Sequence, residues 1–525
     1  MFQITTFSSQ MAAQNLKAQI DQQITALDDA ARILKRQHNS LIPIARLVPE
    51  VLCHVFEYVR TAYLHAKSYG GRGITMRWVW VSYVCSGWRS IALGCPRLWN
   101  TIDMSYGNTW VREMITHSRG SPLYITGSLY ESNVETLQSL LPRHIARLRK
   151  LSLSSRSHPG LFQLLDELPA SSAPLLEHLS ITLSPAHSLP TNVFSSGKSG
   201  SQLQQLSLHN CFFRWDLMMP MPVLTSLHVS YDSPMAVKPR VGQIVAALEC
   251  MPHLEVLELM CIQFSIMDDG LKRPDQRTVH LPYLTFLRIL DSSLDECCKL
   301  LDHFTFSQAT RLELECTNAG ALRGLSRLIP SLERWANRKH HARGMDPIVT
   351  KMECSFLAYR PQQVLTLWAP HTIDETPLLS PGLSYMEIDD EETVGSDMAA
   401  LMSALPLENL EELRIRCFPG VVVDSGWLRP FMLLSTLVFQ FCMEEEEDSG
   451  QEGIVPGSKA PFTLSYPVLS CLEIAECNLQ NGEELLEALN DFLLERFEHG
   501  YGIRSLQLSS NVPIQQSWWS FCNIW

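Results

Sequence analysis

The sequence contains no run of about 18 consecutive apolar residues, the length a helix needs to cross a bilayer, so no membrane span is expected. It holds no Asn-x-Ser/Thr acceptor. Its opening residues, MFQITTFSSQMAAQ, lack a basic stretch followed by an apolar one. Both absences point away from the secretory pathway. Basic residues are in deficit: 42 Lys and Arg face 55 Asp and Glu, a formal net charge of −13. A general nucleic-acid binder needs basic stripes to displace counterions, and this balance argues against that class. The 15 cysteines are odd in number and scattered, without the spaced framework of a small disulfide-stapled domain. Reduced thiols in the cytoplasm or nucleus are therefore expected. What the chain does have is globular composition, 46% hydrophobic and 18% charged over 525 residues. That is too long for one ordinary core, and implies several domains or one long repeat array.

Residues 11–40 carry Ala, Gln, Leu and Lys with no Gly or Pro, which predicts a helix. Ile20, Ile24, Leu27, Ala31 and Leu34 fall at alternating spacings of four and three, a heptad seam. Such a stripe packs either on the rest of its own chain or on another helix. Pro43 and Pro49 then punctuate the chain.

From residue 148 a unit recurs: Leu, two residues, Leu, one residue, then Leu, Ile or Val. It stands at Leu148-Leu151-Leu153, Leu176-Leu179-Ile181, Leu203-Leu206-Leu208, Leu224-Leu227-Val229, Leu254-Leu257-Leu259 and Leu284-Leu287-Ile289. It continues at Leu312-Leu314, Leu383-Met386-Ile388, Leu410-Leu413-Ile415, Leu434-Leu437-Phe439, Leu469-Leu472-Ile474 and Ile503-Leu506-Leu508. Cys211 and Cys477 occupy the Asn/Cys position of their units, completing the leucine-rich repeat pattern L-x-x-L-x-L-x-x-N/C-x-L. A short strand buries alternate residues and cannot do so alone, so neighbours must stack. The stretch 315–382 is too degenerate to assign to units. Residues 443–459, MEEEEDSGQEGIVPGSK, read as an acidic flexible loop, and the apolar ending at 511–525 as a cap on the last repeat.

Between helix and repeats, IARLVPEVLCHVFEYV places Leu52, Val55, Phe56 and Val59 at helical spacing, and WVSYVCSGWRSIALGCPRLW carries Val84, Cys85, Trp88, Ile91 and Ala92 likewise. A unit of about 60 residues cannot hide so many large hydrophobes, which implies a partner. These residues resemble the F-box motif: Leu47, Pro49, Glu50, Val51 and Leu52, then Val55-Phe56, Val84-Cys85, Trp88-Arg89, and Pro96 with Leu98-Trp99. Most of the chain is similar to fungal F-box proteins with C-terminal leucine-rich repeats. It departs from the motif at Val48, where the family has its first proline, and in a longer loop between the first and later helices.

The resemblance implies a substrate-recognition subunit of a Skp–cullin–F-box ubiquitin ligase, intracellular in cytoplasm and/or nucleus, in which other subunits carry the chemistry. The chain is then not an enzyme and takes no cofactor. Its partners are a Skp-type adaptor, through it a cullin–RING ligase, and a protein substrate that the sequence does not identify, with no nucleic acid and no membrane. Leu47, Pro49, Leu52, Phe56, Trp88 and Trp99 are the expected adaptor contacts or supports of that surface. The alternative is a leucine-rich scaffold whose F-box does not bind the adaptor. The expected fold is an α/β solenoid, an irregular leucine-rich repeat horseshoe, preceded by a small all-α F-box and an N-terminal helix. The divisions are the helix 11–40, the F-box 44–105, a connecting segment 106–147 and the repeats 148–510.

In a strand of this pattern the residues between the buried ones line the opposite face. The residue after each second Leu gives a row: Ser152, Ser180, Ser207, His228, Glu258, Arg288, Glu313, Glu387, Arg414, Val438, Glu473 and Gln507. Its charged and imidazole members, His228, Glu258, Arg288, Glu313, Glu387, Arg414 and Glu473, are the candidate substrate contacts. Mixed charge suits a protein surface better than nucleic acid or lipid. Other signals are weak. Gly197-Lys198-Ser199 lacks the earlier Gly of a phosphate loop, position 192 being Asn. RKHHARG at 338–344 has no Cys or carboxylate set to complete a metal site, and the cysteines form no matched C-x-x-C pairs.

Overall fold

A computed structural model describes residues 2–67, 76–156, 159–166, 173–190, 202–218, 220–232, 238–262, 278–292, 294–306, 310–317, 330, 351–356, 362–368, 410–417, 434–441, 469–475, 493–494 and 496–508. The chain divides into two units, Met1–Leu153 and Ser154–Trp525. Glu387, the acidic stretch 443–459, the segments 195–201 and 338–344 and the ending 511–525 lie outside the described residues.

The first unit opens with α1 (Phe2–Ser40), a 3₁₀ turn (Pro43–Arg46) and α2 (Pro49–Lys67). Proline at the first position of α2 suits the helix start, because its missing N–H has no intrahelical partner there. A second 3₁₀ segment (Arg77–Tyr83) leads to α3 (Ser86–Gly94), whose N-cap Cys85 accepts from the Trp88 N–H at 3.4 Å. A 3₁₀ turn (Pro96–Trp99) follows, then β1 (Thr101–Asp103), α4 (Asn108–His117), β2 (Leu123–Leu129), α5 (Glu131–His144) and β3 (Leu148–Ser155). The stretch 106–147 is thus built of α4, β2 and α5, within the same unit as α2 and α3. Strands β1 and β2 pair in parallel, Ile102 facing Ile125.

The second unit holds α6 (Pro159–Asp166), β4 (His178–Ser188), β5 (Gln205–Phe212), β6 (Ser226–Ser230), α7 (Val241–Glu249), β7 (Val256–Met260) and β8 (Val279–Leu281). After these come β9 (Phe286–Ser292), α8 (Leu294–Asp302), β10 (Phe304–Phe306), β11 (Arg311–Thr317), β12 (Lys351–Phe356), β13 (Gln362–Trp368), β14 (Glu412–Cys417), β15 (Thr436–Phe441), β16 (Cys471–Ala475) and β17 (Ser505–Leu508). The main sheet runs β4-β5-β6-β7-β9-β11-β13-β12-β14-β15-β16-β17, while β8 and β10 pair by themselves. All described pairings in it are parallel except those of β13, which lies antiparallel between β11 and β12. This inserted pair occupies the stretch where the repeat pattern fails. The fold is therefore α/β, helices with a large, mostly parallel sheet that does not close into a barrel.

Register explains the leucines. Leu179, Leu206, Leu227, Leu257, Leu287 and Leu312 stand opposite one another on successive strands, and each is buried. Ile181, Leu208, Val229, Leu259, Ile289 and Leu314 form a second buried column two residues on. A turn contact repeats as well: one carbonyl accepts two consecutive N–H groups of the next unit. The Gln204 carbonyl takes Thr225 and Ser226, that of Thr225 takes Glu255 and Val256, and that of Glu255 takes Thr285 and Phe286. The Glu411, Ser435 and Ser470 carbonyls do the same for the later strands. Recurrent backbone satisfaction of this kind needs equal translation between neighbouring units.

Candidate functional site

In the first unit, α2 presents two faces. Leu52 and Phe56 are buried, and the Phe56 ring lies 5.0 Å from that of Trp88, which is half-buried. Trp99 is buried, packs edge-on to the buried Trp78 at 5.2 Å, and donates its Nε1–H to the Ala92 carbonyl at 2.8 Å. Arg60 ties α2 to the following turn through the carbonyls of Arg97 at 3.0 Å and Leu98 at 3.3 Å. Burial pushes the Arg60 guanidinium below its ordinary value. Of the six expected adaptor residues, then, Leu52, Phe56 and Trp99 form core, Trp88 sits at its margin, and Leu47 and Pro49 are exposed.

The opposite face of α2 carries Val51, Val55 and Tyr58, spaced four and three apart and all exposed. Val55 thus points away from the Leu52–Phe56 side with which its spacing had grouped it. Before the helix, Leu41, Ile42, Ile44, Leu47 and Val48 are exposed too, as are Trp80, Tyr83 and Val84 of the neighbouring segment. Val48, standing where the F-box motif has proline, caps α2 through its carbonyl, which accepts from Val51 N at 3.1 Å and Leu52 N at 3.2 Å. The helix start survives the departure, because Pro49 takes over at the first helical position.

In the second unit the pairing aligns Ser180, Ser207, His228, Glu258, Arg288 and Glu313 on successive strands, as the repeat spacing predicts. Across β13 and β12 the register continues through Thr366 and Glu353 to Arg414, Val438, Glu473 and Gln507. The row is a linked polar array. His228 Nδ1 lies 2.7 Å from Glu258 Oε2, and Arg288 Nη2 donates to Glu313 Oε1 at 2.9 Å. The His228 hydrogen bond holds the Glu258 carboxyl below the usual range; burial works against it, and the charges of His228 and Arg288 add to the lowering.

A second polar group, which the sequence reading passed over, lies two residues further along β5 and β6. His209 Nδ1 lies 2.8 Å from Ser230 Oγ, and His228 Nε2 approaches the same hydroxyl at 3.1 Å. Asp232 Oδ1 lies 3.1 Å from His209 Nε2, and Asn210 Nδ2 donates to Asp232 Oδ2 at 2.6 Å. Counting two residues on from the first row finds His209 and Ser230. Asp232 and Asn210 sit beyond regular alternation, Asn210 at φ 57°, and give no such signal. Cys211 is fully buried and donates to the Ile181 and His209 carbonyls, and burial pushes its thiol up to about 12. It is a packing residue at its repeat position. Among the described residues no helix is long and apolar enough to cross a membrane. Comparison with family models gives no match for this chain, and comparison with curated proteins gives none either.

Proposed function

We propose that the chain is the substrate-recognition subunit of a Skp–cullin–F-box ubiquitin ligase, with the first unit docking the adaptor and the second, a leucine-rich repeat solenoid, holding a protein substrate. The observation that carries this reading is the division of hydrophobes in the first unit. Leu52, Phe56, Trp78, Leu98 and Trp99 already supply a buried core, yet Leu47, Val48, Val51, Val55, Tyr58 and Trp80 stay exposed beside it. Apolar surface left over after a core is complete marks a surface for another protein. The solenoid reading rests on the aligned leucine columns and the repeated turn contact. The row from His228 to Glu313 offers alternating charges already paired with each other, which suits a polar protein surface of matching pattern.

The test is co-expression of the full chain with a Skp-type adaptor, followed by co-purification, beside Val51→Glu and Val55→Glu variants. Both residues are exposed, so the variants keep their fold. The reading expects the wild-type chain to carry adaptor and the variants to lose it. A folded wild-type chain that carries none would overturn the ligase assignment and leave a leucine-rich scaffold.

A further inference from the structure

Helix α1 carries an apolar stripe that neither unit of the proposed receptor uses. Every residue from Gln14 to His38 is exposed. Ile20, Ile24, Leu27 and Leu34 are between 48% and 71% exposed although they form a continuous heptad seam. A helix with residues 14–38 all exposed gains little from its own backbone bonds, so a helix of this length is held by packing of its apolar side. Among the described residues nothing covers that side.

We infer that α1 is a self-association helix, through which two copies of this chain pair antiparallel along the Ile20–Leu34 seam. Charge complementarity selects both the partner and the direction. With Ile20, Leu27 and Leu34 at d and Ile24 and Ala31 at a, the flanking e positions are Asp21, Asp28 and Lys35. A parallel pair would set Lys17, an a residue, against its own copy. Its g-to-e contacts, Gln23 with Asp28 and Ala30 with Lys35, would pair no opposite charges. In an antiparallel pair e positions face e positions. Centred near Asp29, that pairing layers Ile24 of one copy on Leu34 of the other and Leu27 on Ala31, each twice. It also sets Asp21 of one copy against Lys35 of the other, again twice. One Asp28–Asp28 contact at the centre opposes them. Sliding by one heptad in one direction would face Asp21 with Asp28 twice, and in the other would face Asp28 with Lys35 twice but layer Leu27 on His38 and Leu34 on Ala31. The centred register is therefore the one that keeps two opposite-charge pairs together with the Ile24–Leu34 layers. The apolar overlap is short, which makes the pair a reversible dimer.

Sedimentation equilibrium of the full chain across the micromolar range tests this. The expected result is a monomer–dimer equilibrium in the wild type and a monomer in Leu27→Glu, with far-UV circular dichroism unchanged apart from loss of α1 helicity. Asp21→Lys turns two attractions into two repulsions and should raise the dissociation constant by about tenfold, and adding Lys35→Asp should restore it. A wild-type chain that stays monomeric overturns the inference, as does a dimer that Leu27→Glu leaves intact. A dimer abolished by Leu27→Glu but indifferent to the charge swap overturns the antiparallel register. None of these readouts involves the adaptor.

Discussion

Arg288 and Glu313 form the most enclosed ion pair of the polar row, and breaking it should cost far more than removing it. The side chains are 9% and 12% exposed, on adjacent parallel strands, with Nη2 and Oε1 at 2.9 Å. The second carboxylate oxygen is buried, with Arg311 Nη2 at 3.8 Å. Glu313→Leu strands the Arg288 guanidinium in a site where water cannot replace the lost partner, and should cost about 3–5 kcal/mol. Arg288→Leu should cost less, about 2–3 kcal/mol, because Arg311 remains beside the carboxylate. The double variant removes both charges together and strands neither, and should lie within about 1 kcal/mol of wild type. The cycle then returns a coupling of about 6 kcal/mol. Urea unfolding of the full chain followed by circular dichroism measures it. The slope must be checked in each variant, because a stack of strands can unfold in pieces. A double variant that loses the sum of the two single losses would refute the reasoning, showing two independent, solvated charges.

Two further outcomes follow from the geometry. Phe56→Ala empties a buried site against Trp88 and should destabilise the first unit by about 3–5 kcal/mol, whereas exposed Tyr58→Ala should stay within about 0.5 kcal/mol in the same thermal-melt comparison. Equal losses would mean that the two faces of α2 are not distinct. The Glu258 carboxyl has a folded-state pKa below its unfolded one, so its contribution is complete above the ordinary carboxylate range and disappears as pH falls through the folded value. Thermal midpoints of wild type and Glu258→Gln should therefore converge as pH falls below about 4.5. Curves that stay parallel would show that the His228 bond contributes nothing to stability.

Much of the second unit was legible before any coordinates. A parallel strand buries alternate residues, so the spacing of Leu179, Leu206, Leu227 and their successors named the buried column, and the residue after each of them named the polar row. The spacing could not say that β12 and β13 enter antiparallel, because a strand run backwards keeps the same period of two. Nor could it link Ser230 to two imidazoles, or Asp232 to His209. Those contacts join residues whose neighbours are set by sheet register, with Asn210 bending the chain out of alternation beside them.

In the first unit the sequence by itself determined that there were helices and too many hydrophobes for a unit of that size. Which hydrophobes became core and which stayed outside was decided by tertiary structure. Leu52 and Val55 lie within one turn of the same helix and both are apolar, so periodicity grouped them. Only the arrival of Trp88 against Phe56, and of Trp99 beneath Ala92, selected the side of α2 that is buried. The same holds for α1, whose heptad seam was plain in the sequence. That the seam from Ile20 to Leu34 stays exposed among the described residues is a property of the folded molecule, because burial depends on where other surfaces come to rest.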